Sequence, residues 1–428
     1  MAFQLSPGVN VSEIDLTNVV PGVSSSIGAF VGGFNWGPVN ERILIDSENN
    51  LVSIFGKPDS NTASAFFSVA NFLAYTNNIR VVRAESANAY NACMSSNTGL
   101  QIDNNADYEI NFPYGTVSDH GPYCARYEGA VGNSLTVSTC SSADGFSKTG
   151  LTASSNGAYQ FIFSANVSSY LNANDYITVS GTTFEAAAVS NNTVYITTQS
   201  TLGTVTDAVA STNWRYSTLF DSAPGTSIYG TSQGALNDEL HIVVEDTDGK
   251  FSGSRGTILE KFSHVSKAID AKTDDGSPNF YVTRIFNESK YILALRQLTS
   301  VTDWGTLAAG NSFDLGRNYT GKMINGKDGT PTTGELSLAW DLFTNPDEVD
   351  ISLIVTGEAN QTIANKALNL AFTRKDCVAF ISPLRQDAVN SISSDNIIAY
   401  KNSLSPLTSY GVFDSGWKYQ LDKYNNVY

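Results

Sequence analysis

The sequence predicts a mixed α/β plus β protein. Both ends of the chain contribute to a discontinuous α/β core domain, which hosts a large β-rich insertion. Three observations carry this expectation. Strand–helix–strand patterning fills residues 23–86, and the same texture returns over 320–428. Between them, 87–319 is built of short alternating strands and polar turns.

Residues 1–22 read as an extended arm. Pro7-Gly8 and Pro21-Gly22 break the chain on either side of Val9-Asn10-Val11-Ser12-Glu13-Ile14-Asp15-Leu16, a strand pattern with no local partner. Such a strand pairs at home or is offered to a neighbouring subunit. The core begins with a strand at Ile27–Phe34 and a turn at Asn35-Trp36-Gly37-Pro38. Asp59 and Ser60 are placed to cap a helix whose apolar face includes Ala63, Phe66, Phe67, Ala70 and Leu73. A strand over Ile79–Ala84 follows, with Arg80 and Arg83 on it.

The insertion divides into a middle domain, 87–157 plus 217–319, and a smaller β domain, 158–216, which is the most β-like and charge-poor piece. Leu240–Glu245 and Lys250–Ser252 flank Thr247-Asp248-Gly249, which predicts a tight hairpin. Gly326–Gly334 reads as a loop or linker. Beyond it come a helix over Leu336–Phe343, a strand over Val349–Val355, a helix over 360–374 and a strand over Cys377–Pro383. That spacing is a βαβ unit and implies a parallel pair.

Composition narrows the function. A length of 428 residues predicts about three domains, and 41% hydrophobic residues supply ordinary cores. Charged residues are 15%, below the usual fraction of about 25%. The formal net charge of −16, with no run of Lys and Arg, argues against a nucleic-acid partner. Copies of such a chain repel at low salt, so assembly requires local charge complementarity. Cys93, Cys124, Cys140 and Cys377 lack metal-site spacing and read as buried thiols of a reducing cytoplasm. No signal peptide is visible and no apolar run approaches the roughly 18 residues of a membrane span. A soluble protein without membrane insertion is expected.

Catalytic motifs fail on context. Gly230-Thr231-Ser232-Gln233-Gly234 matches the G-x-S-x-G pattern of serine hydrolases, but no buried strand precedes Ser232. Asp246-Thr247-Asp248-Gly249 resembles the start of a calcium loop, yet Lys250 stands at the fifth position. Gly321-Lys322-Met323 lacks the Walker residues, and His120, His241 and His264 are scattered. Asp274-Asp275 lies in a turn-rich loop. No catalytic residue, cofactor or metal is expected.

A collinear set of short segments points elsewhere. Ser6–Glu13, Phe34–Pro38, Phe55-Gly56-Lys57-Pro58, Asn71–Tyr75 and Arg80–Ala84 appear in that order. They are followed by Gly129–Leu135, Trp340–Phe343, Asp376–Pro383 and Lys418–Asn425. The set resembles the tail sheath proteins of contractile bacteriophages, closest to those of T-even-like myoviruses. Sheaths of this type continue beyond the segment matching Lys418–Asn425, whereas this chain stops at Tyr428.

The resemblance implies a structural subunit of the virion tail, made and assembled in the bacterial host cytoplasm. It implies hexameric rings stacked helically around a tail tube protein, with baseplate and tail terminator proteins as further partners. Contraction would drive the tube through the host envelope during genome delivery. Val9–Leu16 becomes a candidate exchanged strand hinged at Pro7, Gly8, Pro21 and Gly22. Arg80, Arg83, Arg374 and Lys375 become candidate interface charges facing acidic residues such as Glu41, Asp46 or Glu48. The 158–216 domain becomes an outward decoration. Two other readings compete: a carbohydrate-binding virion adhesin, which predicts repeats that are not visible, and a hydrolase using Ser232.

Overall fold

The computed structural model describes residues 26–95, 98–389 and 393–427. The strands, in chain order, begin with β1 (Gly28–Gly32), β2 (Ile43–Ile45), β3 (Ile79–Arg83), β4 (Asn91–Cys93), β5 (Tyr123–Glu128) and β6 (Leu135–Cys140). Next come β7 (Ser147–Ser155), β8 (Gln160–Phe163), β9 (Tyr176–Val179), β10 (Thr182–Ser190), β11 (Thr193–Ile196) and β12 (Ala208–Asn213). The return half supplies β13 (Glu239–Asp246), β14 (Thr257–Ser266), β15 (Ile292–Ala294) and β16 (Tyr319–Lys322). It ends with β17 (Leu353–Glu358), β18 (Val378–Ser382) and β19 (Gly411–Phe413).

Both ends of the chain meet in one six-stranded sheet, ordered β19-β18-β17-β1-β3-β2. β1 lies at its centre, parallel to β17 on one side and β3 on the other. Every residue of β1 is buried, as a central strand covered on both faces requires. Its glycines answer to packing: a Cβ on Gly28 would stand 2.5 Å from the Phe72 ring. One face of the sheet packs Ala29, Val82, Ile354 and Ala379 against Trp340, Phe343 and the Gln361–Arg374 helix. The other packs Phe30, Ile79 and Val81 against Phe55, Phe66 and Val69 from the helices Glu48–Phe55 and Ala63–Leu73.

Several local expectations shift. The Ala63–Leu73 helix has Thr62 at its cap, while the Asp59 carboxylate organises the preceding turn by accepting from Asn61 N and Thr62 N. The Glu48–Phe55 helix was hidden in the sequence, although Ser47 caps it by accepting from Asn50 N. Thr332 and Glu335 form a capping box that starts the next helix at Thr333. The following strand begins at Leu353 rather than Val349.

In the middle of the chain, β14-β13-β6-β16 form one sheet and β15-β5-β4 another. Tyr123, Val137, Ile242, Tyr281 and Trp304 share the core associated with them. The predicted hairpin at Thr247–Gly249 is absent. β13 pairs instead with β14, which begins only at Thr257. The cause is Asp246, whose buried carboxylate accepts from the backbone N–H of Lys250, Phe251 and Ser252. Those N–H groups are therefore not free for a sheet ladder.

Six strands close into a small barrel, in the order β10-β11-β8-β7-β12-β9. Its first strand starts at Ser147, ahead of the boundary expected at 158, because β7 pairs with both β8 and β12. The barrel is filled by Phe161, Phe163, Ile177 and Val194. At its exit Trp214 Nε1 donates to Ser138 Oγ of β6 at 2.8 Å. The segment 326–334 is pinned rather than free: Asn133 and Gly326 exchange two hydrogen bonds of 2.8 Å. A Cβ on Gly329 would overlap Ser86.

Candidate intersubunit surface

Among the described residues that carried the family resemblance, several pack on one another. Phe34 stacks on Phe55 with ring centroids 4.7 Å apart. Lys418–Asn425 runs back across the two helices that follow β2. Tyr424 Oη donates to Glu48 Oε1 at 2.8 Å, Asn71 Nδ2 to Gln420 Oε1 at 2.9 Å, and Asn425 Nδ2 to the Pro58 carbonyl at 2.9 Å. Gly129 has φ of 140°, and a Cβ there would overlap the Asn35 carbonyl, so only glycine fits.

The candidate exchanged strand Val9–Leu16 and its hinges Pro7, Gly8, Pro21 and Gly22 lie outside the described residues. Within the described chain, the six-stranded sheet ends on β2 and β19, each paired on one side only. Beside the second of these edges, Phe380 and Val412 are register partners and remain 40% and 42% exposed. Sequence patterning missed this uncovered strip, because alternation alone does not reveal which sheet face receives a helix.

The four candidate interface cations separate into two kinds. Arg83 is buried: its guanidinium donates to the Gly37 carbonyl at 2.8 Å and the Glu128 carbonyl at 3.1 Å. Arg374 has a side chain only 1% exposed, bonded to the carbonyls of Phe343 and Val349 and to Asp376. Each guanidinium is engaged by carbonyls of its own chain. Arg80 is half-buried and sits across the ladder from Leu44 of β2, and Lys375 is exposed at the end of its helix. Among the acidic residues, Glu41 and Asp46 are exposed, whereas Glu48 is engaged by Lys423 and Tyr424.

The remaining motifs resolve into structure. Ser232 ends a short helix, with its hydroxyl donating to the Tyr229 carbonyl at 2.7 Å, and no histidine stands beside it. His241 is buried between Phe220 and His264, and burial pulls it down to about 4, which keeps it neutral. Asp248 pairs with Lys322 at 2.6 Å. All four cysteines are buried free thiols; Cys93 and Cys124 face each other across β4 and β5. Among the described residues no group of three or more His, Cys, Asp or Glu is arranged to hold a metal, and no helix is long and apolar enough to cross a membrane.

The family model of the tail sheath protein Gp18 domain III N-terminal region matches residues 26–84. The chain is 25% identical over 452 aligned residues to the tail sheath protein of Salmonella phage ViI, covering 99% of this chain and 68% of that protein. It is 24% identical to the tail sheath proteins of Enterobacteria phage T4 and Vibrio phage KVP40, again over 99% of this chain and over 70% and 71% of theirs. Two solved sheath tail proteins, from Listeria innocua and Desulfitobacterium hafniense, match at 10% identity and a TM-score of 0.37. Those matches cover 85% and 88% of this chain, which spans about half the length of each structure, 49% and 52%. Aligned over nearly its whole length with three named sheath proteins, the chain is a homologue of the tail sheath proteins of T4-like contractile phages and a structural tail sheath subunit.

Proposed function

We propose that this subunit polymerises in hexameric rings around a tail tube and contracts to drive the tube through the host envelope. Tail tube, baseplate and tail terminator proteins are the partners this requires, in a virion tail assembled in the host cytoplasm. The role is mechanical, without catalysis, cofactor, nucleic acid or membrane insertion. The observation that carries the reading is the alignment with sheath proteins over 99% of the chain.

In this reading the two ends of the chain form the discontinuous core domain around the six-stranded sheet, the sheets β14-β13-β6-β16 and β15-β5-β4 the middle domain, and the barrel that starts at Ser147 the outer decoration. Residues 1–22 form the arm. Val9–Leu16 adds as a strand to a neighbouring core sheet, with Pro7-Gly8 and Pro21-Gly22 as hinges. An open parallel edge at β19 supports this, since an added strand satisfies main-chain groups that β18 does not reach. Main-chain hydrogen bonds keep subunits linked while near-rigid bodies slide. Arg80 and Lys375 remain the candidate interface cations. Negative-stain microscopy of the chain mixed with tail tubes tests the reading: striated sheaths of two lengths are expected, and bare tubes beside unassembled chain would reject it.

A further inference from the structure

β4 and β5 place two of the four thiols opposite each other. Cys93 and Cys124 are register partners in this antiparallel pair, 1% and 0% exposed. Their main-chain groups point away from one another. Cys93 N donates to the Ile324 carbonyl at 2.9 Å, and Ile324 N donates to the Cys93 carbonyl at 2.8 Å. On the far side of β5, Cys124 is the register partner of Leu293. There Leu295 N donates to the Pro122 carbonyl and Arg126 N to the Tyr291 carbonyl, both at 2.8 Å. By the alternation of an antiparallel ladder, Cys124 turns its own N–H and C=O towards β15. The two cysteines therefore form a non-hydrogen-bonded pair.

Side-chain direction agrees with the register. Cys93 and Cys124 share one cluster with Leu100, Ile102, Tyr108 and Leu293, whereas their chain neighbours Met94 and Tyr123 belong to another. Both thiols thus leave the same face of the sheet. A non-hydrogen-bonded pair brings its Cα atoms to about 4.5 Å, at the short end of the range of roughly 4.4–6.8 Å that a disulfide spans. The other two cysteines have no such partner. Cys140 faces His241 across β6 and β13, and Cys377 directly precedes β18.

We propose that Cys93 and Cys124 are a modification site, a dithiol that closes into a disulfide when the folded chain meets a small-molecule disulfide. The thiolate of one cysteine attacks the S–S bond of the reagent, forming a mixed disulfide and expelling one small thiolate. The thiolate of the second cysteine then attacks the protein sulfur of that mixed disulfide. The Cys93–Cys124 bond forms and a second small thiolate leaves. The two cysteine protons end on the two departing thiols, the protein loses two electrons, and the reagent gains them.

Burial raises the Cys124 thiol well above its ordinary value, so attack follows transient opening of β4. That strand is the edge of its sheet, covered on its outer side by single bridges to Ile324 and Lys327. The pair accordingly stays reduced in a thiol-rich cytoplasm and closes outside one. Closure joins β4 to β5 across the segment 94–123, where Cys93 also holds the returning chain at Ile324. The unfolded chain loses conformations, and the middle of the molecule becomes harder to unfold.

The test treats the folded full chain with excess bis(2-hydroxyethyl) disulfide and then alkylates the remaining thiols under denaturing conditions. Two of the four thiols are expected to disappear, with a mass loss of two hydrogens and a proteolytic fragment joining Cys93 to Cys124. The thermal midpoint is expected to rise by at least about 3 °C and to return on addition of dithiothreitol. Cys124→Ala, checked for folding by circular dichroism, is expected to form no internal disulfide and to show no such rise. Four thiols surviving in the parent chain overturn the proposal. So do a disulfide that includes Cys140 or Cys377, a mixed disulfide that persists on Cys93 or Cys124, and an unmoved midpoint. Should Cys124→Ala fail to fold, the fragment map and midpoint of the parent chain decide by the same criteria.

Discussion

Arg374 donates through its guanidinium to the carbonyl of Phe343 at 2.6 Å, so a basic residue at a helix end closes the core from within. It also holds the Val349 carbonyl at 2.9 Å and pairs with Asp376 at 2.8 Å. Replacing it with methionine preserves the stem and leaves two buried carbonyls without their donor. Arg374→Met is expected to lower stability by roughly 2–3 kcal/mol in urea unfolding. Its midpoint would move while the salt dependence of assembly stays that of the parent.

Lys375, one residue on, is governed by its backbone. It caps the helix in the left-handed region, with φ of 64° and its N–H bonded to the Ala371 carbonyl. A side chain there costs about 1–2 kcal/mol, while glycine adopts the same angles freely but gains entropy when unfolded. Lys375→Gly is therefore expected to raise stability by roughly 0.5 kcal/mol, measured by thermal unfolding. A loss of stability would show that the lysine side chain contributes a contact worth more than the strain.

The contrast between these neighbours marks what the sequence could disclose. The parallel unit around 349–383 was legible because buried strands and an amphipathic helix with Asn360 as its cap leave strong periodic signals. The Glu48–Phe55 helix was not, since it is short and buries only Leu51 and Phe55. Arg83 and Arg374 read as surface cations because a sequence shows charge but not the carbonyls waiting for it. The Arg83–Glu128 pair was illegible for the same reason. Its members are separated along the chain and meet only after β3 and β5 have been placed.

The base of the barrel carries its own pH dependence. Asp175 is 1% exposed and accepts from Asn172 N at 2.9 Å and Arg215 N at 3.1 Å, near Asn318 of the segment leading into β16. Burial pushes it up to about 6, although these hydrogen bonds oppose the rise. Its contribution is thus complete below its ordinary value near 3.8 and is lost as pH rises through about 6. His241 works oppositely: held down at about 4, it favours the fold above its ordinary value near 6.5 and withdraws that support as pH falls. The difference between parent and Asp175→Asn isolates the carboxyl. Between pH 4 and 7 the parent is expected to lose on the order of 2–3 kcal/mol relative to the variant. Parallel stability curves would contradict this.

The open edge of β19 gives the assembly reading its sharpest consequence. Tyr410 O accepts from Ala379 N, and Asp414 N donates to the Ile381 carbonyl. By the alternation of a parallel ladder, Gly411 and Phe413 turn their main-chain groups away from β18. A strand from another copy would meet those groups, and its side chains would cover Phe380 and Val412. Removing residues 1–20 should then leave the unfolding of the described chain within about 0.5 kcal/mol of the parent, as exchange of that segment into another copy requires. The same deletion should abolish sheath formation around tail tubes. A synthetic peptide of residues 6–20, added in excess to the intact chain, should shorten the sheaths by occupying the acceptor edge. Full-length sheaths from the truncated chain would show that the subunits are linked by some other contact, and the exchanged-strand reading would fall while family membership stood.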